Sequence, residues 1–201
     1  MKIAIVDYGA GNLPSVERAL TRLGVDIERA AEPDQVASAQ AIVLPGVGHF
    51  GAFVEGLRER SLTASLRAAF DSGKPVLGIC LGLQAMFAKS EEAPGQQGLA
   101  LFPEEVRALP TTVKSPHIGW NQLRRLHQSK LLRGLPEDAY FYFAHSYAAP
   151  ACAEYTVAAC DHGFQFAAVI ERDNLAGVQF HPEKSGETGA QVLRNFLEWI
   201  L

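Results

Sequence analysis

The sequence predicts an α/β fold with a mostly parallel central sheet flanked by helices and additional antiparallel strands in the C-terminal half. In the first half, short apolar segments end in glycine-rich turns that lead into helical periodicity. That order is typical of right-handed βαβ units around a parallel sheet. After about residue 98 the segments become short and alternating or aromatic, which is typical of antiparallel strands.

The first strand and helix set the pattern. "KIAIVD" (2–7) is a compact apolar strand that ends in the turn "YGAGN", and Asn12 offers an N-cap to a helix that Gly24 stops. Strand, glycine-rich turn and helix recur in 41–51 and again in 75–84. The apolar residues at helical spacing in the first helix are Val16, Ala19, Leu20 and Leu23.

The second half carries shorter strands and a closing helix. Strands are predicted at 104–109, 122–126, 140–147, 155–159, 163–170 and 175–180. A helix over about 188–200 groups five apolar side chains on one face: Val192, Leu193, Phe196, Leu197 and Ile200. Because no low-complexity linker or repeat interrupts the chain, we expect one domain over residues 1–201.

Composition excludes several classes of function. The chain of 201 residues is 48% hydrophobic and 20% charged, as in ordinary globular proteins. A net charge of −4 with scattered cations predicts no nucleic-acid partner, and no apolar run reaches the ~18 residues of a membrane span. Cys80, Cys152 and Cys160 form no CxxC pair, so we expect a reducing, cytoplasmic compartment. We also expect the protein to bind neither a metal nor a cofactor.

"GICLGLQ" (78–84) sets Cys80 between two glycines, after an apolar strand and before a predicted helix. The arrangement resembles a nucleophile elbow, in which Gly78 and Gly82 leave room for a strained turn. The helix N-terminus would favour the thiolate, and the Leu81 N–H would point toward a developing oxyanion. A small buried hydrophobic residue is the alternative, and these seven residues alone leave the two interpretations about even.

"GVQFHPEKSG" offers a base for the thiol. Pro182 favours an extended backbone at His181, and residues two apart on an extended segment face the same way. Glu183 could therefore accept the ring N–H of His181 and leave the other nitrogen free as a base. Alone, this motif is more often a surface turn. With Cys80 it forms a Cys-His-Glu set suited to acyl transfer.

"LPGVGHFG" (44–51) is a third stretch after a predicted strand. Stretches 45–51, 80–84 and 181–185 are expected to converge beyond the carboxyl ends of the strands. The glycines would let a backbone N–H approach a reacting carbonyl and would let the loop move. A tight turn without a ligand is the alternative, and a phosphate-binding turn fits neither known glycine spacing.

Six segments together resemble a known family: "YGAGNLPSV", "LPGVGHFG", "GICLGLQ", "PHIGWN", "YFAHSY" and "QFHPEKSG". Their order and spacing resemble the triad-type (class I) glutamine amidotransferases, and most closely the glutaminase subunits of imidazole glycerol phosphate synthases. The resemblance covers about residues 3–200 and implies the single-domain fold of that class. "PHIGWN" and "YFAHSY" are much more particular to these subunits than "GxCxG", which many hydrolases share.

The resemblance implies that Cys80 attacks the side-chain amide of glutamine to form a γ-glutamyl thioester and release ammonia. His181 would shuttle the protons, and Glu183 would orient His181. The implied oxyanion hole comprises Leu81, Val47 and Gly48. The implied glutamine pocket comprises Gly46, Gln84, Glu92, Ser146 and Tyr147. The residues implied to face a partner are Asn12 and Trp120, although a core position is a serious alternative for any tryptophan.

The implied partner is a (β/α)8-barrel cyclase on a separate chain, joined in a heterodimer. It would use the ammonia on a phosphoribulosyl-formimino aminoimidazole carboxamide ribotide and release imidazole glycerol phosphate and aminoimidazole carboxamide ribotide in histidine biosynthesis. Low activity without the partner is also expected, with a peptide plane between Gly46 and Gly48 as the switch.

Three alternatives remain at the level of sequence. A hydrolase of γ-glutamyl peptides would use the same three side chains in a wider cleft. A glutaminase that serves another synthase is the nearest alternative, and "PHIGWN" argues against it. A non-catalytic module usually lacks one of the three catalytic side chains, whereas Cys80, His181 and Glu183 are all present here.

Overall fold

The computed structural model describes residues 2–9 and 12–200. The strands are β1 (Lys2–Val6), β2 (Asp26–Ala30), β3 (Ala41–Gly46), β4 (Val76–Cys80), β5 (Phe87–Ser90), β6 (Phe102–Ala108), β7 (His117–Gln122), β8 (Arg124–Arg125), β9 (Tyr140–His145), β10 (Tyr147–Ala148), β11 (Thr156–Asp161), β12 (Gln165–Arg172) and β13 (Leu175–Val178). The helices are α1 (Leu13–Thr21), α2 (Pro33–Ser38), α3 (Phe50–Glu59), α4 (Leu62–Asp71), α5 (Leu81–Gln84) and α6 (Gly186–Ile200), with a 3-10 turn at Pro182–Lys184.

An eight-stranded sheet forms the centre of the molecule, in the order β2-β1-β3-β4-β13-β12-β11-β8. Neighbours from β2 to β13 pair in parallel. Strands β12, β11 and β8 continue the sheet in antiparallel pairing. The predicted fold class, a mostly parallel sheet with antiparallel strands from the C-terminal half, is confirmed.

Four of the parallel strands, β1, β3, β4 and β13, are buried on both faces, which explains why they are nearly continuous apolar runs. Ile3 and Ile5 of β1 belong to one core, together with residues of α1 and α6. Ala4 and Val6 point to the other face and belong to a second core, with residues of α2, α3 and α4. Each fully buried Ile, Leu or Phe contributes roughly 1.5–3 kcal/mol to such cores.

Two smaller elements lie beside the main sheet. Strands β10, β6 and β5 form a three-stranded sheet, and β7 pairs with β9 in an antiparallel ribbon. On this ribbon, alternate side chains are buried and exposed. The ribbon therefore has an inner face toward the protein and an outer face toward solvent.

Some predicted boundaries are wrong. The strand expected at 122–126 is replaced by β7 and the two-residue β8, because the register of β7 is set by pairing with β9. The helix expected after residue 80 is a single turn, since the chain turns at once into β5. The strand expected at 140–147 divides into β9 and β10.

None of the helices in the described ranges combines the length and apolarity that crossing a bilayer requires. Within residues 2–9 and 12–200 there is also no cluster of three or more His, Cys, Asp or Glu side chains arranged to hold a metal ion.

Candidate active site

Cys80 ends β4 in a strained backbone conformation, with φ 53° and ψ −108°. The adjacent turn is too tight for side chains at its glycines. A Cβ on Gly82 would lie 1.7 Å from the carbonyl oxygen of Leu44, and one on Gly78 would lie 2.8 Å from the Leu83 nitrogen. The local sequence therefore forms a sharp strand-to-helix turn, and strain of this kind is concentrated at functional sites.

The Cys80 side chain is 5% exposed and borders a cavity. Its Sγ lies 3.9 Å from the carbonyl oxygen of Ala144, which can accept from the thiol. The Gln179 Nε2 donates to the same sulfur at 3.6 Å. These two contacts place a hydrogen-bond acceptor and a donor against the sulfur.

His181 and Glu183 form a buried pair beside the sulfur. The backbone at His181 is extended, and its Nδ1 lies 2.9 Å from Glu183 Oε1. A carboxylate accepts, so Nδ1 carries the proton and Nε2 is the nitrogen available for proton transfer. The His181 N–H also donates to the Tyr142 carbonyl at 2.8 Å, and the Ser185 hydroxyl donates to the His181 carbonyl at 2.7 Å.

The electrostatic surroundings of His181 favour its charged form. Burial by itself lowers the pKa of His181, but hydrogen bonds and charge interactions with Cys80 and Glu183 outweigh it and raise that pKa to about 10. An imidazolium held between Cys80 and Glu183 is suited to donate a proton to a leaving group.

The loop after β3 is held by Tyr8. Its hydroxyl accepts from the Val47 N–H at 3.2 Å and donates to the Val47 carbonyl at 3.0 Å. Burial raises the pKa of Tyr8, which keeps the hydroxyl protonated and able to donate. Gly48 has φ +98°, and within the described ranges its N–H has no hydrogen-bond partner.

The predicted oxyanion donors are therefore not equivalent. The Val47 N–H is engaged by Tyr8, whereas the Gly48 N–H is not engaged. Leu81 begins α5, and an N–H in the first turn of a helix has no partner within the helix. Because α5 has four residues, it contributes little macrodipole. The helix expected after Cys80 is present, as a single turn.

A cavity of ≈ 230 Å³ opens at Cys80. Most of the predicted oxyanion and glutamine-binding residues line it with Cys80: Val47, Gly48, Leu81, Gln84, Glu92, Ser146 and Tyr147. Residues that the sequence interpretation did not assign to the site complete it: Pro116, Ile118, Ala144 and His145. A second, small space of ≈ 10 Å³ is bordered by Asn12, Gly46, His181 and Glu183.

Two predicted glutamine-binding side chains already have partners within the protein. The Gln84 amide nitrogen donates to the Tyr147 carbonyl at 2.7 Å, and Glu92 Oε2 accepts from the Phe50 N–H at 2.7 Å. Gln84 Oε1 and Glu92 Oε1 are left for a ligand. Gly46 lies opposite Cys80 in the β3–β4 register, where a Cβ would crowd the elbow.

Trp120 and Asn12 lie in different settings. Trp120 is 55% exposed on the outer face of the β7–β9 ribbon, with the exposed Ile118 and Tyr140, so the alternative of a core tryptophan is wrong. Asn12 occupies the N-cap position of α1, but its side chain accepts from the Ser15 hydroxyl at 2.9 Å rather than from a backbone N–H.

Sequence reasoning missed Tyr8, Gln179 and His145, although all three stand inside the quoted motifs. Gln179 lies two residues before His181, and the rule that groups His181 with Glu183 on an extended backbone could have included it. Tyr8 and His145 left no comparable signal, because their contacts depend on how distant strands align.

The family model described as "Glutamine amidotransferase class-I" matches residues 4–199. The chain belongs to this family. Among similar class-I glutamine amidotransferases, "Imidazole glycerol phosphate synthase subunit HisH" of Methanothermobacter thermautotrophicus is 50% identical, over 98% of this chain and 98% of that protein. The subunit of the same name from Moorella thermoacetica is 47% identical, over 98% of this chain and 95% of that protein.

Solved structures share the fold of this amidotransferase at low identity. A structure described as "PurLQS from Thermotoga maritima" superimposes with a TM-score of 0.79 and 19% identity, over 100% of this chain and 99% of that chain. Another, described as a glutamine amidotransferase, has a TM-score of 0.77 and 18% identity, over 98% of both chains.

Proposed function

We propose that the protein is the glutaminase subunit of an imidazole glycerol phosphate synthase. It hydrolyses the side-chain amide of glutamine to glutamate and ammonia, and the ammonia passes to a separate cyclase subunit. The named relatives support the assignment, since they match along nearly their whole length at 47% and 50% identity. The observation that carries the chemistry is the Cys80 elbow beside the buried His181–Glu183 pair.

In the proposed reaction, Cys80 gives its thiol proton to His181 Nε2, and its Sγ attacks the amide carbon of glutamine to give a tetrahedral oxyanion. The C–N bond breaks as His181 Nε2 protonates the leaving ammonia, and a γ-glutamyl thioester remains. His181 then takes a proton from water, which attacks the thioester and releases glutamate and the Cys80 thiol. Glu183 keeps the imidazole oriented through both steps.

The oxyanion would be stabilised by backbone N–H groups. Leu81 supplies one, and the loop after β3 supplies the other from Val47 or Gly48. Tyr8 engages the Val47 N–H, so within the described residues only the Gly48 N–H of these two loop donors lacks a partner. Rotation of the peptide planes beside Gly46 and Gly48 would complete the hole.

Free glutamine is the proposed substrate rather than a γ-glutamyl peptide. The cavity of ≈ 230 Å³ is smaller than the roughly 300–1,000 Å³ typical of sites for drug-sized ligands. Glu92, which borders it, supplies a carboxylate oxygen that could pair with the α-ammonium of an amino acid. A comparison of kcat/KM for glutamine and γ-glutamyl peptides tests this choice.

The proposed partner is a (β/α)8-barrel cyclase subunit in a heterodimer. Ile118, Trp120 and Tyr140 are each more than half exposed on the outer face of the β7–β9 ribbon. Large aromatic side chains of this kind are enriched at protein interfaces. The cyclase would use the ammonia on a phosphoribulosyl-formimino aminoimidazole carboxamide ribotide to make imidazole glycerol phosphate and aminoimidazole carboxamide ribotide.

The whole chain is proposed to act as one glutaminase domain in the cytoplasm. Parallel pairing of β4 with β13 joins the first and second halves in one sheet, which supports the single domain. The three free cysteines support a reducing compartment.

The central experiment measures kcat for glutamine in the isolated subunit, in the complex with the barrel subunit, and in that complex with its ribotide ligand. We expect a low value in the first state and the highest in the third. Equal kcat values in all three states would refute activation of the subunit by its partner. Absence of hydrolysis in every state would refute the proposed function.

A further inference from the structure

A connected set of buried amides lies beside Cys80. Gln179 is fully buried and Gln84 is 4% exposed. Gln179 Nε2 lies 3.6 Å from Cys80 Sγ, and Gln179 Oε1 lies 3.1 Å from Gln84 Nε2. The same Gln84 nitrogen lies 2.7 Å from the Tyr147 carbonyl oxygen. The amides therefore form one path from the backbone of the cavity wall to the sulfur.

Chemistry fixes the direction of this path. The Tyr147 carbonyl can only accept, so the NH2 group of Gln84 must face it. The second hydrogen of that NH2 group then points to Gln179, which must present its oxygen there. Its own NH2 group consequently faces Cys80, and Gln179 is a donor to the sulfur.

Two buried histidines form a second hydrogen-bonded series that ends at the same carbonyl. His145 Nδ1 lies 3.0 Å from the Tyr147 oxygen, so this nitrogen carries a proton and donates. Its Nε2 is then an acceptor for His117 Nδ1, which lies 3.0 Å away. His117 Nε2 is likewise an acceptor, for Asn121 Nδ2 at 3.4 Å. Each step of this second series therefore donates in the direction of the Tyr147 carbonyl.

The surroundings of the histidines hold them neutral, as this direction requires. Burial lowers the pKa of His145 to about 3 and that of His117 to about 4. The His117 ring is stacked between Phe143 and His162, with centroid distances of 4.8 Å and 4.1 Å. Both rings are therefore fixed in position and in tautomer.

We infer that Gln179 is a hydrogen-bond donor to the Cys80 thiolate, that Gln84 is the positioning residue that fixes its amide orientation, and that His145 and His117 hold in place the Tyr147 carbonyl to which Gln84 donates. The inference rests on the proposed function, in which Cys80 is the nucleophile. A thiol donates its proton to the Ala144 carbonyl, and that interaction is lost when the proton leaves. The Gln179 N–H remains as a donor in the thiolate state.

A hydrogen bond to a charged group at this long distance is expected to favour the thiolate about tenfold, the low end of the usual range. The test measures alkylation of Cys80 by iodoacetamide across pH, followed on the Cys80 peptide by mass spectrometry. In Gln179→Leu the midpoint of that profile should move up by about one pH unit. A profile that superimposes on that of the wild type would overturn the inference.

Asn195→Leu is the matched control. Asn195 is a buried amide that donates to the carbonyls of Leu131 and Arg133, in a part of the core that does not border the cavity. Its replacement should lower the free energy of unfolding to a comparable extent but leave the alkylation profile unchanged. A shift as large as that of Gln179→Leu would mean that loss of stability alone moves the profile, and would overturn the inference.

A second substitution keeps the shape of the side chain. Gln179→Glu is nearly isosteric and replaces the donor with a negative acceptor, so the midpoint should rise further than in Gln179→Leu.

His117→Phe keeps the aromatic stack but removes the donor to His145. It should shift the midpoint by a smaller amount in the same direction, and no shift would remove the positioning role of the histidines.

The wild-type protein provides a measurement that does not depend on any variant. Nitrogen-15 NMR should find His117 and His145 both protonated on Nδ1. A proton on Nε2 of either ring would overturn the hydrogen-bond series assigned to the two histidines. The proposed function can fail independently of this inference. If glutamine is hydrolysed but Gln179→Leu leaves the alkylation profile of Cys80 unchanged, only the role of Gln179 as donor is refuted. If the profile shifts but neither the isolated subunit nor its complexes hydrolyse glutamine, only the proposed function is refuted.

Discussion

The Tyr8 hydroxyl bonds both backbone groups of Val47, accepting the N–H at 3.2 Å and donating to the carbonyl at 3.0 Å. One side chain therefore fixes both peptide planes beside a predicted oxyanion donor. The Tyr8 ring is itself packed against Phe53, with ring centroids 4.2 Å apart. While these bonds persist, the Val47 N–H cannot bind an oxyanion.

Tyr8→Phe should increase glutamine hydrolysis by the isolated subunit. The substitution keeps the ring packing and removes both hydrogen bonds, so the peptide planes of Val47 can rotate. Since one oxyanion donor is worth about 10²–10³ in rate, partial occupancy of the rotated state should raise kcat on the order of tenfold. Steady-state kcat without partner is the measurement.

Tyr155→Phe is the control for loss of a buried tyrosine hydroxyl, because Tyr155 packs on Phe102 away from the cavity. It should leave kcat unchanged. A fall in kcat on Tyr8→Phe, with normal thermal stability, would show that Tyr8 supports the active loop instead of holding it at rest.

Gly48→Ala should reduce the glutamine turnover that the partner stimulates. A Cβ at Gly48 would meet no atom within 4 Å, so the change acts through its backbone φ of +98°, which a non-glycine residue rarely adopts. Restricting that backbone should hinder rotation of the loop while glutamine still binds. The measurement is kcat of the ribotide-bound complex beside KM for glutamine.

Gly24→Ala is a matched control, with φ +79° and an equally open Cβ position at the end of α1. Both variants should lose a similar amount of thermal stability, about 1–3 kcal/mol in free energy of unfolding. The Gly24 variant should keep full stimulated turnover. Equal loss of kcat in both would assign the effect to stability rather than to the loop.

A glutamine-analogue electrophile should label Cys80 and spare Cys152 and Cys160. Burial raises the pKa of Cys160 to about 12, so its thiol is unreactive near neutral pH. Cys80→Ala should abolish glutamine hydrolysis yet preserve the fold and binding to the barrel subunit. Peptide mass spectrometry of the labelled protein gives the answer, and a label on Cys152 or Cys160 would refute the assignment of the nucleophile.

The pKa of His181 should fall in Cys80→Ala. Burial lowers this pKa, while Cys80 and Glu183 raise it, and the substitution removes the contribution of Cys80. An NMR titration of the imidazole in the two proteins is the measurement. An unchanged pKa would mean that Glu183 alone keeps His181 charged.

The same shift predicts how stability depends on pH. The folded-state pKa of about 10 lies above the ordinary 6.5, so the contribution of His181 is complete below pH 6.5 and is lost as pH rises toward 10. The free energy of unfolding should therefore decline across that window in the wild type. In Cys80→Ala the decline should be smaller.

Local motifs made much of the site predictable from the sequence, whereas the contacts between distant strands could not be predicted from it. The elbow at Cys80 depends on the size of its neighbouring glycines, and the His181–Glu183 pair depends on two-residue spacing, so both leave a signal in adjacent residues. The contacts of Tyr8 with Val47 and of His117 with His145 depend on strand order and register. No pattern of neighbouring residues specifies those alignments.

Trp120→Ala should weaken association with the barrel subunit by about tenfold or more, because exposed aromatic anchors dominate many interfaces. Trp120 is 55% exposed and meets Tyr142 edge-on, with ring centroids 5.9 Å apart, so its loss leaves no core cavity. The thermal stability of the isolated subunit should be unchanged. Trp199→Ala is the matched control, since Trp199 lies on α6 and packs against the core, so its loss should cost stability without changing the dissociation constant. Isothermal titration with the barrel subunit measures both variants, and an unchanged dissociation constant for Trp120→Ala would exclude the outer face of the ribbon from the interface.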